Sequence, residues 1–346
     1  MAVIEFAPLN IPLERRLQTL AVVHYVFFFL IAPPLSIFLA IYLLWINILY
    51  GIWLYYDRDA PIRGYRRMKW FQGSVIWKYF ADYFPQKLIK TADLPSDRNY
   101  IIGAHPHGIM SLGTFTTFCT NGTGFWDKFP GLTPYLATLP GQFLFPFRRE
   151  YILLSGSSYC SFANCCNRGL SAFKHYCRKQ GLLNLLNNQK GLVLAIVLGG
   201  AEEALECRHD NYDLILRKRK GFVRLALETG ALVPCYMFGE NDTYNQVSNN
   251  RGTLLRKLQV TFRRYAGFST PIIFGRGIFN YTFGVLPFRT PIHTVVGRPI
   301  NVKPTPNPTN EEVDALHETY CEELNKLFDE NKGKYGISHD TKLHFI

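Results

Sequence analysis

Charged residues are missing from a long stretch near the N-terminus. Residues 20–56 include no Asp, Glu, Lys or Arg, although the 346-residue chain has 38 basic and 26 acidic residues. An uncharged apolar segment of this length indicates insertion into a membrane. A cleavable signal peptide is disfavoured, because the segment is too long and lacks a convincing small-residue cleavage site.

Basic residues flank this apolar segment on both sides, and Pro33 and Pro34 divide it. Since Lys and Arg favour the cytosolic side, the pattern predicts a hairpin with the two prolines at its tip. A single tilted span is the alternative. Residues 57–98 mix aromatic and basic side chains, which is typical of a segment in the headgroup region, or else of a helix packed on a core. The predicted units are therefore a cytosolic segment 1–19, a membrane-embedded helical hairpin 20–56, an amphipathic interfacial segment 57–98 and an α/β domain 99–346.

The eight cysteines show neither C-x-x-C spacing nor the density of a disulfide-stabilised scaffold. They are interpreted as reduced thiols facing the cytosol. Four lie between Cys160 and Cys177, but their irregular spacing disfavours zinc, and no metal site is predicted. The net charge of +12 suits an anionic membrane or a phosphorylated cosubstrate. Nucleic acid is disfavoured, because no recognised nucleic-acid module is present.

Apolar, β-rich runs alternate with helical patterns in the predicted domain. Strands are predicted over 100–104, 191–198, 231–238 and 293–296, all of the kind buried in a parallel sheet. Helices are predicted over 222–229 and 311–331, the latter opening with a capping box formed by Thr309 and Glu312. This alternation predicts an α/β fold, a mostly parallel sheet with flanking helices, with its functional crevice at the carboxyl ends of the strands.

Two histidines follow the first predicted strand, in the motif His105-Pro-His107-Gly108. The proline biases His105 toward an extended conformation and the glycine permits a sharp turn, so both imidazoles are candidate catalytic groups at a defined place. A histidine can act as general base on a hydroxyl, because its ordinary pKa of about 6.5 lies near working pH. The alternatives are a metal site, which lacks a third His or Cys within ten residues, and two structural histidines.

Two further groups of residues indicate chemistry. The strand over 191–198 leads into Gly199-Gly200-Ala-Glu202-Glu203, where a carboxylate, preferably Glu203, could orient an imidazole. The alternative is a pair of solvated glutamates in a first helical turn. Five basic residues then surround a predicted helix start, where backbone N–H groups already favour an anion, which predicts a phosphate-bearing ligand or, alternatively, anionic lipid: Arg217, Lys218, Arg219, Lys220 and Arg224.

These motifs, in this order, resemble the diacylglycerol acyltransferase 2 / monoacylglycerol acyltransferase family. The opening segment and the tail most resemble the monoacylglycerol branch. Residues 155–181 depart from the family pattern, which leaves the outline of the substrate pocket there open. The shared blocks are Glu5-Phe-Ala-Pro-Leu, Glu14-Arg-Arg-Leu-Gln-Thr, Asp82-Tyr-Phe-Pro85, His105-Pro-His-Gly108, Phe129-Pro-Gly-Leu, Arg149-Glu-Tyr151, Gly199-Gly-Ala-Glu-Glu203, Arg219-Lys-Gly-Phe-Val223, Val233-Pro234, Phe238-Gly-Glu-Asn241 and Val295-Val-Gly-Arg-Pro299.

The resemblance implies a glycerolipid-acyltransferase-like fold and acyl transfer from acyl-CoA to a glycerolipid hydroxyl, at the endoplasmic reticulum membrane and lipid droplets. It places the essential histidine at His107 and the family glutamate at Glu203. On this hypothesis His107 is the general base, and backbone N–H groups around Gly108 or Gly200 receive the oxyanion. Acyl-CoA is the expected cosubstrate, no bound cofactor is expected, membrane lipid is the expected partner and a homo-oligomer is left open.

The expected reaction converts monoacylglycerol to diacylglycerol for triacylglycerol synthesis. The alternatives are a diacylglycerol O-acyltransferase that makes triacylglycerol directly, a membrane-anchored lipid hydrolase, and a non-enzymatic lipid-droplet coat. An extra acyl chain changes the volume of a pocket and not its catalytic groups, so the sequence leaves the acceptor and the acyl-chain preference open.

Overall fold

A mixed, mostly parallel sheet of eight strands forms the centre of the protein. The computed structural model describes residues 4–57, 60, 66–143, 145–159, 186, 189–266 and 269–346. In space the strands follow the order β1, β10, β7, β2, β5, β3 and β4, and β11 also pairs with β7. Their bounds are β1 Lys87–Lys90, β2 Tyr100–His105, β3 Thr133–Thr138, β4 Ser157–Tyr159, β5 Leu192–Val197, β7 Ala231–Phe238, β10 His293–Val296 and β11 Ile300–Asn301. Two small sheets pair β6 Asp213–Leu214 with β12 His344–Phe345, and β8 Asn245–Gln246 with β9 Ile273–Phe274.

The three central strands run parallel, with β2 between β5 and β7. Every residue of β2 and β7 is buried, which explains their unbroken apolar sequences. The predicted α/β class and mostly parallel sheet are therefore confirmed. The parallel prediction for 293–296 is wrong in one respect, because β10 pairs antiparallel with β7 and parallel with β1. His293 lies opposite Phe238, so the chain re-enters the sheet at the end where it left it.

Helices cover both faces of the sheet. Tyr100 and Ile102 of β2 point into one apolar core, and Ile101 points into the other, as the alternation of a strand requires. The helices are α1 Leu13–Val26, α2 Ala32–Tyr42, α3 Leu44–Tyr56, α4 Lys69–Gln72, α5 Val75–Tyr83, α6 Leu112–Cys119, α7 Phe125–Lys128, α8 Arg148–Leu154, α9 Gly200–Glu203, α10 Gly221–Thr229, α11 Leu254–Ala266 and α12 Asn310–Asn331. Helices α1, α5, α6 and α8 contribute to the first core, and α10 and α12 to the second.

Helix α12 has the start that its sequence predicts. The backbone N–H of Glu312 donates to Thr309 Oγ1 at 3.2 Å, and the backbone N–H of Thr309 donates to Glu312 Oε2 at 2.8 Å. This reciprocal pair satisfies two N–H groups that the helix cannot use internally. The apolar face of the helix, including Val313, Tyr320 and Leu324, is buried as its spacing predicts.

The helical course of the N-terminal segment differs from the prediction. The chain stays helical from α1 through a π-helical turn, Phe27–Ile31, into α2, whose first turn contains Pro33 and Pro34. Proline is tolerated in a first turn, because its missing N–H would have no partner there. The interruption comes instead at Leu43, so the predicted tip at the prolines is wrong. Among the described residues, one helix, Leu13–Ala40, is long and apolar enough to cross a membrane.

Parts of two predicted membrane segments pack on the domain instead. Ala21 and Tyr25 of α1 lie in the first core, so the predicted hairpin 20–56 begins with residues that contact protein. In the predicted interfacial segment 57–98, Trp77 and Phe80 are fully buried, whereas Trp70 is 70% exposed. Within the described part of this segment, α5 packs against α1 on the first core, as the alternative of a helix packed on a core requires for residues 75–83.

Candidate active site

His105 ends strand β2 inside the protein and is followed by a cis peptide bond to Pro106. Its side chain has no exposed surface, and its Nε2 lies 3.0 Å from the hydroxyl of Tyr320. That hydroxyl donates to the carbonyl oxygen of Gly103 at 3.1 Å, so the imidazole must donate through Nε2–H. Burial lowers the pKa of His105 to about 3, which keeps the ring neutral. In this structure the ring has no exposed surface and contacts Tyr320, so it holds the strand end in place. A catalytic role for His105 stays a prediction.

His107 lies two residues farther on, half-buried at the carboxyl edge of the sheet. Its Nδ1 is 2.9 Å from the carbonyl oxygen of Gly108. Because a carbonyl only accepts hydrogen bonds, Nδ1 carries the proton and the lone pair of a neutral ring is on Nε2. No described residue hydrogen-bonds to this Nε2. Burial lowers the pKa of His107 below its usual value, and the bond to Gly108 acts in the opposite direction. The ring is therefore neutral near pH 7 and has a free basic nitrogen.

Glu203 lies beside His107 but does not bond to its ring. Its Oε1 accepts from the backbone N–H of His107 at 2.6 Å, and its Oε2 accepts from the backbone N–H of Ile215 at 2.8 Å. The sequence hypothesis had Glu203 orienting the imidazole; in the structure it fixes the backbone that carries the imidazole. Gly199 makes this possible, because a Cβ at that position would collide with the Glu203 carboxylate. The neighbouring Glu202 points elsewhere and pairs with Arg219 and Arg263 at 3.4 and 3.0 Å.

A second buried glutamate, Glu240, supports the same loop and was missed from the sequence. Its Oε1 and Oε2 accept from the backbone N–H groups of Leu112 and Gly113, each at 2.8 Å, and it has no exposed surface. Gly108, with φ of +62°, passes directly over it, and a Cβ there would lie 2.6 Å from Glu240 Cγ. The available signal was the motif Phe238-Gly-Glu-Asn241, which repeats after β7 the pattern of strand, glycine and carboxylate seen after β5.

Both glutamates are buried carboxyl groups in an apolar surrounding. Desolvation raises the pKa of Glu203 and of Glu240 to about 7, and the hydrogen bonds from backbone N–H groups oppose that rise. The loop that carries His107 is thus held at both ends by a carboxyl group that accepts two backbone hydrogen bonds. Such bonds fix the position of a catalytic ring more firmly than an exposed turn can.

The loop that carries His107 also contacts the N-terminal helix α1. The hydroxyl of Tyr25, on α1, donates to the carbonyl oxygen of Met110 at 3.2 Å. Ser111, with φ of +52°, donates through its hydroxyl to the carbonyl oxygen of His107 at 2.9 Å. The Tyr244 hydroxyl lies 3.3 Å from Met110 Sδ. The site is therefore built partly from the helix that continues into the apolar N-terminal segment.

The predicted oxyanion donors lie at adjacent strand ends. Gly108 follows β2, Gly200 follows β5, and these strands pair with each other. Both glycines have positive φ, +62° and +60°. No described residue accepts a hydrogen bond from either backbone N–H group. Their use in catalysis stays a prediction.

The five basic residues of the predicted anion site divide into two groups. Helix α10 leads directly into β7, so its N-terminus lies at the carboxyl edge of the parallel strands, as the histidine does. Arg217 and Lys218 are exposed, and Arg219 reaches toward Gly199 and Glu202. Two others contact the start of α12. Lys220 Nζ pairs with Asp314 at 2.5 Å, and Arg224 donates to the carbonyl oxygen of Pro308 at 2.9 Å.

Among the described residues, no group of three or more His, Cys, Asp or Glu side chains lies close enough together to bind a metal ion. Cys119, Cys207, Cys235 and Cys321 are free thiols. Most of the divergent segment 155–181 lies outside the described residues, including the cysteines at 160, 165, 166 and 177. The zinc alternative for these cysteines therefore also falls outside them.

Catalysis through His107 should depend on pH in a definite direction. Protonation of Nε2 removes the base, and burial lowers the pKa of this ring, so the acid limb of kcat/KM should fall below pH 6.5. Measuring kcat/KM between about pH 4 and pH 9 checks this. Unfolding must be followed in parallel. His105 has a folded pKa of about 3, so folding loses stability as the pH falls from 6.5 toward 3. A limb centred above pH 6.5 would report the buried carboxyl groups of Glu203 and Glu240, whose pKa is raised to about 7, and not the protonation of His107.

A neutral imidazole with a free ring nitrogen has the chemistry of a general base. A family model described as "Diacylglycerol acyltransferase" matches residues 36–346. The chain belongs to this diacylglycerol acyltransferase family, which confirms the predicted acyltransferase class.

Individual relatives agree with this placement. The chain is 48% identical to "2-acylglycerol O-acyltransferase 1" of Bos taurus, over 99% of each chain. It is 45% identical to the Homo sapiens protein of the same name, over 98% of each chain. It is 41% identical to "Diacylglycerol O-acyltransferase 2" of Homo sapiens, over 95% of this chain and 83% of the relative. Among solved structures, the 1-acyl-sn-glycerophosphate (LPA) acyltransferase PlsC from Thermotoga maritima is 12% identical, with a TM-score of 0.39 over 91% of this chain and 95% of that one.

Proposed function

We propose that this protein transfers a fatty acyl group from acyl-CoA to the free hydroxyl of monoacylglycerol, making diacylglycerol. The observation that carries the proposal is the neutral His107, whose Nδ1–H is held by Gly108 and whose Nε2 is free to take a proton. The acceptor is taken from the relatives named 2-acylglycerol O-acyltransferase, which match the chain over nearly its whole length. Diacylglycerol is the second candidate acceptor, because relatives named for it match almost as well.

The proposed mechanism is a direct transfer without an acyl-enzyme. His107 Nε2 takes the hydroxyl proton as the acceptor oxygen attacks the thioester carbonyl carbon. The Gly108 carbonyl keeps its bond to Nδ1–H and stabilises the imidazolium that forms. The N–H groups of Gly108 or Gly200 receive the oxyanion. When the intermediate collapses, the carbon–sulfur bond breaks and the imidazolium returns its proton to the departing thiolate. Glu203 and Glu240 act through the backbone of the loop.

Assays with and without acceptor test this proposal. Purified protein is given labelled acyl-CoA alone, with monoacylglycerol, and with monoacylglycerol and diacylglycerol in competition. Labelled diacylglycerol that appears only with monoacylglycerol supports the proposal. Free fatty acid released at the same rate without acceptor would identify a hydrolase instead, and preferential labelling of triacylglycerol would favour the second acceptor.

Arg217 and Lys218 are proposed to bind the coenzyme A phosphates, because they are exposed beside the N-terminus of α10, where backbone N–H groups also favour an anion. Changing Arg217→Gln with Lys218→Gln should raise KM for acyl-CoA about tenfold, the effect of losing one charge-assisted hydrogen bond. KM for the acceptor should stay constant. The matched control, Lys326→Gln with Lys342→Gln, removes the same charge from positions elsewhere on the domain. An unchanged KM for acyl-CoA would assign this pair to the lipid-facing alternative.

A membrane hairpin with a cytosolic catalytic domain is proposed for the N-terminal segment. Ala21 packs in the core before the exposed apolar part, and after it Tyr50 and Asp57 contact Glu150 and Arg149 of α8, at 3.3 and 2.6 Å. Both ends therefore meet the same domain. Helix α3 has 13 residues, a length of about 20 Å, which is short for a crossing of about 30 Å.

Glycosylation reports this topology. Asn121, Asn241 and Asn280 each begin an acceptor sequence for N-linked glycans. With the domain on the cytosolic side of the endoplasmic reticulum membrane, none should be modified in cells, whereas an acceptor sequence placed in a luminal control protein should be. A glycan on any of the three would refute the cytosolic placement. Fluorescence microscopy of the same cells tests whether the protein is located at the endoplasmic reticulum and at lipid droplets.

A further inference from the structure

Apolar side chains are exposed on helix α11 and on the loop that follows β9. Leu254, Leu258 and Phe262 recur every four residues along α11 and are 73%, 59% and 44% exposed. In the loop, Phe279 and Phe283 are 78% and 69% exposed. These five residues are called the second apolar surface. They are distant in sequence from the N-terminal apolar segment, and the proposed acyl transfer assigns them no role.

The chain around this surface has one sign of charge. Residues 243–310 contain no Asp or Glu, and nine Lys or Arg. Arg256 and Arg263 on α11 pair with Glu206 and Glu202 of the domain. Lys257 and Arg264 of the same helix have no acidic partner among the described residues. A helix with an exposed apolar row and unpaired basic residues is the pattern of a helix lying in a membrane interface.

The second apolar surface adjoins the active site on two sides. On the α11 side, Arg263 contacts Glu202, and the Ser269 hydroxyl donates to the carbonyl oxygen of Ala201, next to Glu203. On the loop side, the Tyr244 hydroxyl lies 3.1 Å from the carbonyl oxygen of Val285 and also contacts Met110 of the catalytic loop. Whatever this surface touches is therefore close to the loop that carries His107 and to the turn that carries Glu203.

The same surface is continuous with the N-terminal segment. The backbone N–H of Ala7 donates to the carbonyl oxygen of Phe279 at 2.9 Å, and that of Tyr281 donates to the carbonyl oxygen of Glu5 at 2.8 Å. Phe6, 72% exposed, thus lies beside Phe279, and α1 begins six residues after Ala7. The segment around Phe6 therefore connects the second apolar surface to α1, which continues into the apolar N-terminal segment.

We propose that the second apolar surface, with Lys257 and Arg264, binds the cytosolic surface of a bilayer that contains anionic phospholipid. The aromatic and aliphatic side chains insert between headgroups, and the two basic residues contact phosphate or carboxylate groups. The N-terminal segment and this surface then hold the domain at two points, with the His107 crevice between them facing the lipid. The delivery of acceptor lipid to that crevice rests on the proposed acyl transfer; the membrane contact itself does not.

Photocrosslinking locates the contact without using activity. The full-length protein is reconstituted in vesicles of phosphatidylcholine with or without phosphatidylserine, together with a trace of phosphatidylcholine that carries a photoreactive acyl chain. Peptides joined to lipid are then identified by mass spectrometry. Adducts within 254–285, in addition to those within 27–56, are the expected result. Adducts confined to the N-terminal segment would overturn the proposal, as would protein–protein crosslinks between copies of 254–285, which would make this surface an oligomer interface.

Two variants separate the apolar and the basic contributions. Phe279→Ser with Phe283→Ser should abolish adducts in 254–285 and raise KM for vesicle-borne acceptor on the order of tenfold. In the unmodified protein, phosphatidylserine in the vesicles should stimulate acyl transfer, by about fivefold for each basic residue that contacts it. Lys257→Gln with Arg264→Gln should remove this stimulation. The control Lys326→Gln with Lys342→Gln should keep it.

Acceptor offered in detergent micelles distinguishes the two proposals. In micelles, both variants should transfer acyl groups at the rate of the unmodified protein, because neither substitution touches the loop that carries His107. If all proteins, including the unmodified one, lack acyl transfer in micelles and in vesicles, the proposed function fails while the adducts still decide the membrane contact. If adducts and vesicle kinetics are unchanged by both variants, the membrane contact is refuted and acyl transfer stands.

Discussion

His107→Ala should lower kcat for acyl transfer by about 10²–10⁴-fold, the usual contribution of a positioned general base. KM values should change little, because the ring contributes its effect when the proton moves. The fold should persist, since His107 is half-buried and its loop is held through the backbone by Glu203. Residual activity should come from binding and from the oxyanion donors. Labelled acyl incorporation under saturating substrate measures the loss.

A structural explanation for such a loss can be distinguished from a chemical one. The His107→Gln variant can still offer an amide N–H toward the Gly108 carbonyl but cannot take a proton, so it should be as inactive as the alanine variant. Imidazole added to His107→Ala should restore part of the rate, with a pH dependence of its own. If His107→Gln instead kept a rate near that of the unmodified protein, the ring would only position the loop.

Glu203→Ala should cause the second large effect, on both stability and rate. It leaves the buried backbone N–H groups of His107 and Ile215 without acceptors, at a cost of about 1–3 kcal/mol each. The catalytic loop then loses the bond that fixes His107, and kcat should fall even though the imidazole is still present. Denaturant unfolding of the detergent-solubilised protein and steady-state rates measure the two effects.

Glu202→Ala is the matched control for this prediction. It removes the adjacent carboxylate, which is 40% exposed and pairs with Arg219 and Arg263. Such exposed pairs contribute about 0–1 kcal/mol, so stability should change little. Glu203→Gln keeps one acceptor oxygen and should lie between the two alanine variants. If Glu202→Ala is the more damaging substitution, the assignment of the two glutamates is wrong.

Local signals allowed much of the sheet and one helix start to be predicted. The apolar run of β7 and the capping box of Thr309 and Glu312 depend on residues close in sequence, so the pattern identifies them directly. His107 and Glu203 could also be singled out, because each follows a buried strand at a glycine-marked turn. What the sequence could not provide was the partner of each group.

The contacts that were missed join residues far apart in the chain. Glu203 meets the backbone of His107 rather than its ring, and His105 meets Tyr320, 215 residues away. Neither contact leaves a spacing pattern, because tertiary packing determines it. The burial of Tyr25 was missed for a related reason: an apolar helix face looks the same whether it meets lipid or protein.

The bond between Tyr25 and the loop that carries His107 makes the apolar N-terminal helix more than a detachable anchor. Cutting the chain after residue 56 to obtain a water-soluble enzyme would remove Ala21, Val22, Tyr25 and Val26 from the first core as well as the apolar segment. A soluble version would have to keep α1 and shorten the chain between Phe27 and Tyr56. Any shift of this helix would, by the same bond, displace the carbonyl oxygen of Met110 in the loop that carries His107.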